Sequence, residues 1–347
     1  MRPTRTRMSP ETKRVSPETP RVSPETKHLT PETLRLADPE ATVTQIVDGL
    51  RRAVRGFRRR GAVVGLSGGV DSSVVAALAV RAFGPDGVLG LLMPERDSSA
   101  DTLELSTLAA EAFSMETVLE DISEVLDALG CYRRRDEAIR EVVPEFGPDW
   151  KAKLVLPSVV EGEGYRLFSI VARAPDGREV RERLPLGAYL QVVAATNFKQ
   201  RARKTLEYYH ADRLNRAVLG TPNRLEYDQG FFVKNGDGAA DVKPIAHLYK
   251  TQVYQLAEVL GVPAEIRSRP PTTDTYSLPQ TQEEFYFSLP YDLMDLCLHA
   301  VNEGHDVART AVAVGLSEDQ VERVFADIAA KRRVAAYLSA APVLLED

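Results

Sequence analysis

The chain has 347 residues, 44% of them hydrophobic and 27% charged, with 44 basic against 50 acidic side chains and a net charge of −6. That length suits one large α/β domain or two smaller ones at roughly 150 residues each, with a core that needs no covalent staples. The acidic balance argues against a nucleic-acid coat protein, and no apolar run approaches the roughly 20 residues of a membrane-spanning helix. Cys131 and Cys297 stand too far apart for a C-x-x-C redox or zinc pattern, so a reducing cytoplasm is the expected compartment.

The amino terminus repeats itself. MSPETKR, VSPETPR, VSPETKH and LTPETLR begin at Met8, Val15, Val22 and Leu29. A period of seven suggests a coiled coil, but Pro10, Pro17, Pro24 and Pro31 each cost a continuous helix about 3 kcal/mol. Residues 1–37 therefore read as a low-complexity, disordered tail, with a docking or phosphorylated segment as the sharper alternative. A first helix opens at Asp38-Pro39-Glu40, and Val43, Ile46, Val47, Leu50, Val54 and Phe57 follow helical spacing. Its arginines, Arg51 to Arg60, read as a solvated face or a cationic helix end rather than a nucleic-acid contact.

From Ala62 strands and helices alternate. Strands are predicted over Ala62–Leu66, Val88–Met93 and Ala217–Leu219, and helices over Val74–Phe83, Asp101–Phe113 and Thr251–Leu260, the last ended by Gly261 and Pro263. Ser317 and Gln320 form a capping box that opens a helix through Val324 and Ile328. The expected fold class is α/β, a doubly wound parallel sheet covered on both faces. One stretch breaks the rhythm. Lys153–Pro157, Tyr165–Ala172 and Arg178–Leu184, with a turn at Pro175-Asp176-Gly177, predict a small antiparallel insertion over about 144–186.

LSGGVDSS, Leu66 to Ser73, joins a predicted strand to a predicted helix. Gly68 and Gly69 allow a tight turn and close approach of a ligand, while Ser67, Ser72 and Ser73 add hydroxyls near a helix N-terminus that favours an anion. Phosphate is the natural guest, and Asp71 makes sense there when a divalent cation bridges it to phosphate oxygens.

SGGVDS resembles the pyrophosphate-binding loop of the ATP pyrophosphatase superfamily, whose members transfer AMP from ATP to a carboxylate or carbonyl-like oxygen. Downstream, VLGTPNRLEYDQGFFVKNGDGAAD (Val218–Asp241), LYKTQV (Leu248–Val253) and PPTTD (Pro270–Asp274), with NFKQRAR (Asn197–Arg203) upstream, resemble the ordered motifs of the NAD synthetase family over roughly Arg51 to Tyr291. That resemblance implies a Rossmann-like sheet of the adenine nucleotide α-hydrolase type. It implies that Gly65, Leu66, Ser67, Gly68, Gly69, Val70, Asp71 and Ser72 hold the ATP phosphates and that Asp71 and Glu226 ligate Mg²⁺. Thr221, Lys250 and Thr272 match ATP-contacting positions, and Arg201, Lys234 and Asp241 match positions that hold deamido-NAD. Asp71 and Lys250 are the implied catalytic pair. A homodimer is also implied.

Three departures bear on the acceptor. The insertion has no counterpart in short NAD synthetases, Gln280–Asp295 replaces an acidic, glycine-containing segment, and the C-terminal His-Lys becomes Ala330-Lys331, where Lys331 keeps the substrate-binding position. The 61 residues before Ala62 are too few for a fused nitrilase-like domain, so the expected nitrogen source is free ammonia or a separate glutaminase. Two other readings stay open: a related amide or C–N ligase acting on another carboxylate, and a non-catalytic nucleotide-binding regulator.

Overall fold

Residues 29–156, 158–160, 168–273 and 275–345 are described by a computed structural model. Its first α-helices and strands are α1 (Pro39–Gly56), β1 (Ala62–Leu66), α2 (Val70–Phe83), β2 (Val88–Leu92), α3 (Ala100–Ala112) and β3 (Glu116–Leu119), followed by α4 (Ser123–Ala128) and α5 (Cys131–Arg140). β1 and β2 carry no polar side chain and pair in parallel from Ala62↔Val88 to Leu66↔Leu92. Such continuous apolar strands suit a sheet covered on both faces. Ala62, Val64 and Leu66 pack with apolar residues of α1 and α2, whereas Val63 packs on the opposite side with residues of α4 and α5. Asp38 caps α1 as expected, and Arg51 donates to the carbonyls of Arg81 and Ala82 at the end of α2, at 2.9 and 3.0 Å.

The insertion is an antiparallel meander of β4 (Lys151–Val155), β5 (Ser169–Arg173) and β6 (Glu179–Arg183). Parts of its predicted first two strands, Pro157 and residues 165–167, lie outside the described residues. Gly177, at φ 88°, makes the turn between β5 and β6 where the Pro-Asp-Gly signal stands. Ala152, Leu154, Ile170 and Ala172 alternate along the strands and bury one sheet face against Ala138 and Ile139 of α5 and Val192 of the helix that follows.

That helix is α6 (Leu186–Leu214), which delivers the chain to β7 (Ala217–Leu219). The main sheet has the order β3-β2-β1-β7, all parallel, so the winding reverses between β1 and β7. After α7 (Arg224–Gln229), α8 (Lys250–Val259) and α9 (Ala264–Ser268), a π-helical turn (Glu283–Phe287) leads into α10 (Tyr291–Glu303), α11 (Val307–Val314) and α12 (Glu318–Leu338). The last three helices form their own apolar cluster, and Ser317 and Gln320 make the predicted capping box. Among the described residues no helix is long and apolar enough to cross a membrane.

The boundary expected at Asp38 is too late. The fourth repeat forms a 3₁₀ turn at Pro31–Leu34, and Leu29 and Leu34, 5% and 2% exposed, pack among Met294, Leu298 and their neighbours. Gln252 Nε2 donates to the Leu34 carbonyl and the Leu36 N–H donates to Gln255 Oε1, each at 2.9 Å. The sixth position of this repeat is the apolar Leu34; the earlier repeats have Lys13, Pro20 and Lys27 there and lie outside the described residues. Leu34→Ala should cost about 2–5 kcal/mol, the usual penalty for emptying a buried leucine site. Equilibrium urea unfolding of the variant beside the wild-type chain measures it.

Candidate active site

Parallel pairing brings the carboxyl ends of β1, β2 and β7 to one edge of the sheet, at Leu66, Leu92 and Leu219. Open α/β sheets bind ligands outside these ends, where the winding reverses. A cleft of about 790 Å³ lies here, lined by Asp71, Thr221, Glu226, Lys250 and Thr272 among others. A cavity of about 120 Å³ adjoins it, lined by Gly65, Leu66, Ser67 and Thr221.

The loop from β1 into α2 is built for close approach. Gly68 has φ 70°, and a Cβ there would stand 2.9 Å from the Thr102 carbonyl oxygen, so only glycine fits without strain. Gly69 is the N-cap of α2 and offers no side-chain acceptor, leaving the first-turn N–H groups of the helix uncapped by a side chain. The serine hydroxyls are partly spent on the loop itself. Ser72 and Ser73 donate to the Gly69 carbonyl at 3.0 and 2.9 Å, and the Ser67 N–H donates to Ser72 Oγ at 3.2 Å.

Asp71 and Lys250 form a direct ion pair, with Lys250 2% exposed and Asp71 open toward the cleft. Burial opposes the charge on Lys250, but Asp71 and Glu226 beside it outweigh that and hold its pKa above the ordinary lysine value. Glu226 is 9% exposed, and burial first, then the charge of Asp71, pushes its carboxyl above the ordinary carboxylate range. Asn223 links the two acids. Its Nδ2 donates to Asp71 Oδ1 at 3.2 Å, its N–H donates to Glu226 Oε2 at 3.0 Å, and its Oδ1 accepts from the Glu226 N–H at 3.2 Å. Gln282 Nε2 donates to Glu226 Oε1 at 3.0 Å.

This donor set fits a hard divalent cation. It consists of two carboxylates beside a glycine turn at a helix start, each oxygen with one protein donor and lone-pair capacity to spare. Mg²⁺ is held in phosphate sites by one or two carboxylates, with substrate oxygens and water completing the octahedron.

Two of the four expected acceptor-binding residues line the cleft. Arg201 Nε donates to the Lys234 carbonyl at 3.2 Å, and Lys234 Nζ donates to the Tyr337 carbonyl at 3.0 Å, 4.4 Å from the Tyr337 ring. The other two are elsewhere. Asp241 accepts from the Val218 N–H at 2.8 Å and from the Tyr208 hydroxyl at 3.3 Å, pinning its segment to β7. Lys331 donates to the Tyr286 carbonyl and pairs with Asp327, both at 2.6 Å, so its charge is engaged beneath the aromatic turn rather than in the cleft.

Sequence reasoning passed over several residues. Asn223 carried a signal, the Asn-x-x-Glu capping box at the start of α7. Asp295 on α10 carried none. Its carboxylate accepts the Lys250 and Thr251 N–H groups at 3.2 and 2.8 Å from 45 and 44 residues away, and burial pushes it up to about 7. Lys199, within NFKQRAR, is fully buried and donates to Glu95, Asp97 and the Thr275 carbonyl at 2.8, 2.8 and 2.7 Å. Arg135 pairs with the same Asp97, so the loop after β2, α5, α6 and Thr275 share one buried charge network.

The chain resembles proteins of known kind over most of its length. A sequence model of NAD synthase matches residues 42–143 and 178–334, leaving the strands β4 and β5 in the unmatched gap. The NH(3)-dependent NAD(+) synthetase of Rhizobium meliloti (strain 1021) is 61% identical over 309 residues, covering 89% of this chain and 92% of the relative. That of Thermotoga maritima is 35% identical over 264 residues, covering 76% and 88%. Among solved structures, the NMN synthetase from Francisella tularensis superposes with a TM-score of 0.62 at 22% identity, covering 89% of this chain and 99% of that one. The NH3-dependent NAD synthetase from Campylobacter jejuni superposes at 0.58 and 22%, covering 89% and 100%. At that identity the two structures speak for the fold alone, whereas the family match and the sequence relatives carry the assignment: this chain belongs to the NAD synthase family.

Proposed function

We propose that this chain is an ammonia-dependent NAD synthetase, converting the nicotinate carboxylate of deamido-NAD to the amide at the expense of ATP. The observation that carries the reading is the convergence of Asp71, Glu226 and Lys250 on a glycine-turn anion loop, in a chain 61% identical to a protein of that name.

The chemistry asked of the site is ordered. A carboxylate oxygen attacks the α-phosphorus of ATP, the bond from that phosphorus to the bridging oxygen breaks, and pyrophosphate leaves. Ammonia then attacks the acyl carbon, loses a proton and expels AMP. The uncapped first turn of α2 and the Lys250 ammonium receive the phosphate charge that builds during the first transfer. Asp71 and Glu226 would hold Mg²⁺, which when bound neutralises phosphate oxygens as a Lewis acid. Thr221 and Thr272 line the same cleft, and Arg201 and Lys234 place cations for an anionic dinucleotide. Lys234 gives one of its three N–H donors to the Tyr337 carbonyl and keeps two for an anion. A homodimer is part of this reading, checked by sedimentation.

The deciding assay is pyrophosphate release by purified protein with Mg-ATP and ammonium, with and without deamido-NAD, and identification of NAD in the product. Release that ignores deamido-NAD would move the reading to another carboxylate. Asp71→Asn should lower turnover by about 10²-fold, the scale for loss of one preorganised electrostatic group, and unchanged turnover would remove Asp71 from the machinery. Asn223→Ser separates position from fold. Serine caps a helix about as well as asparagine and adds no charge, but it removes the amide donor that faces Asp71. Its melting temperature should stay close to wild type while kcat/KM for Mg-ATP falls at least about tenfold, equivalent to 1.4 kcal/mol.

A further inference from the structure

The segment between residues 143 and 178, unmatched by the family's sequence model, is not confined to the periphery. Phe168, just before β5, lines the same cleft as Asp71 and Lys250. Its ring stacks on Tyr189 of α6, with centroids 4.3 Å apart and planes 14° from parallel. Further aromatic rings continue the wall: Tyr276 meets Phe285 edge-on at 5.6 Å, and Phe285 lies 5.9 Å from Phe231, whose N–H donates to the Glu226 carbonyl. All of these line the cleft.

The insertion is also tied to that wall. The Ala152 N–H donates to Ser277 Oγ at 2.9 Å, the Leu278 N–H donates to the Ala152 carbonyl at 3.3 Å, and Lys153 pairs with Glu284 at 2.7 Å. β4 thus braces the loop that carries Gln282, the donor to Glu226.

The cleft therefore combines an aromatic wall with the charged groups of Arg201, Lys234 and the Asp71–Lys250 pair. A ligand that fits both features has a planar ring and an anionic phosphate chain. We propose that the insertion builds part of the acceptor subsite, with Phe168 as a specificity-determining residue that stacks with a heteroaromatic ring of the acceptor nucleotide. This rests on the function proposed above. The ring could be the pyridine or the adenine of the dinucleotide, since both present the flat face that an aromatic side chain recognises.

The test uses the full chain and three variants, Phe168→Ala, Phe168→Leu and Phe168→Tyr. Phe168→Ala should raise KM for deamido-NAD about 5- to 150-fold, the range for loss of one ring stack, with KM for ATP within about twofold of wild type on the same scale. Phe168→Tyr should restore the affinity. Phe168→Leu, which keeps the apolar volume, should not, and thermal unfolding of each variant reports whether the fold is intact. Calorimetric titration with deamido-NAD and with nicotinate mononucleotide identifies the ring: equal loss for both assigns the pyridine, and loss for the dinucleotide alone assigns the adenine. A wild-type KM in Phe168→Leu would overturn the proposal and make the residue core packing, as would parallel changes in the two KM values. Wild-type amidation of deamido-NAD together with an unaltered Phe168→Ala variant would remove the wall and leave the function standing. A wild-type chain that neither binds nor amidates deamido-NAD would overturn both.

Discussion

The ion pair between Asp71 and Lys250 is the constraint around which the site is arranged. Taking two charges out of water costs several kcal/mol per ion, and their attraction repays it only with good geometry and further hydrogen bonds. Packing stability alone does not call for such a pair. Its position is unfavourable in a second way: Lys250 is the first residue of α8, where the helix dipole disfavours a cation. Asp71 and Glu226 offset this, and Asp295 takes the N–H groups at the same helix start. A buried lysine held charged against the dipole is well placed to meet phosphate, which brings negative charge to both.

Three helix starts converge on the cleft. Asp71 is the second residue of α2, Glu226 the third of α7 and Lys250 the first of α8. The positive ends of three dipoles stabilise the two carboxylates before a ligand arrives and favour an anion afterwards. The sheet sets this up. β1 and β7 are parallel neighbours, each followed by a tight loop and a helix, so α2 and α7 start side by side at the reversal of winding. Asn223 then fixes the distance between the two acids with bonds to both. The third start, α8, reaches the place through tertiary packing, because no strand leads into it directly.

What could be read from the sequence follows the same division. β1, β2, β7 and the helices behind the first two were legible, since their apolar runs and glycine punctuation are local signals. So was the glycine turn between β1 and α2. β3, with exposed Glu116 and Leu119 at the sheet edge, lacks the apolar run that marks its neighbours and escaped notice. The long α6 escaped as well, because its buried residues include Lys199, Lys204, Glu207 and His210, which blur a hydrophobic period. Motif residues meet in the cleft from the loops after β1 and β7, from the start of α8 and from within α6. They do not meet there where the motif merely runs close in sequence, as with Asp241, which serves β7, and Lys331, which serves the aromatic turn. Partners far apart in sequence, Asp295 for α8 and the Glu95–Asp97–Lys199 network, leave no periodic trace at all.

The insertion shows how a sequence departure can act on chemistry without touching the phosphate loop. From β4 the connection runs through Ser277 and Leu278 to the turn at Glu283–Phe287, and from Gln282 to Glu226. A shift of the small sheet therefore moves a donor to one of the two carboxylates as well as the ring of Phe168. The opposite side of the same loop is held by Lys199 through the Thr275 carbonyl, inside a network whose charges are fully paired. A loop fixed at one end by buried charge and at the other by a separate sheet has little freedom to reposition one residue alone. The bulky Phe285 and Tyr286 found where a glycine-containing segment would stand follow from this arrangement: they fill the space between the brace and the cleft, packing against Phe231 rather than closing freely over the site.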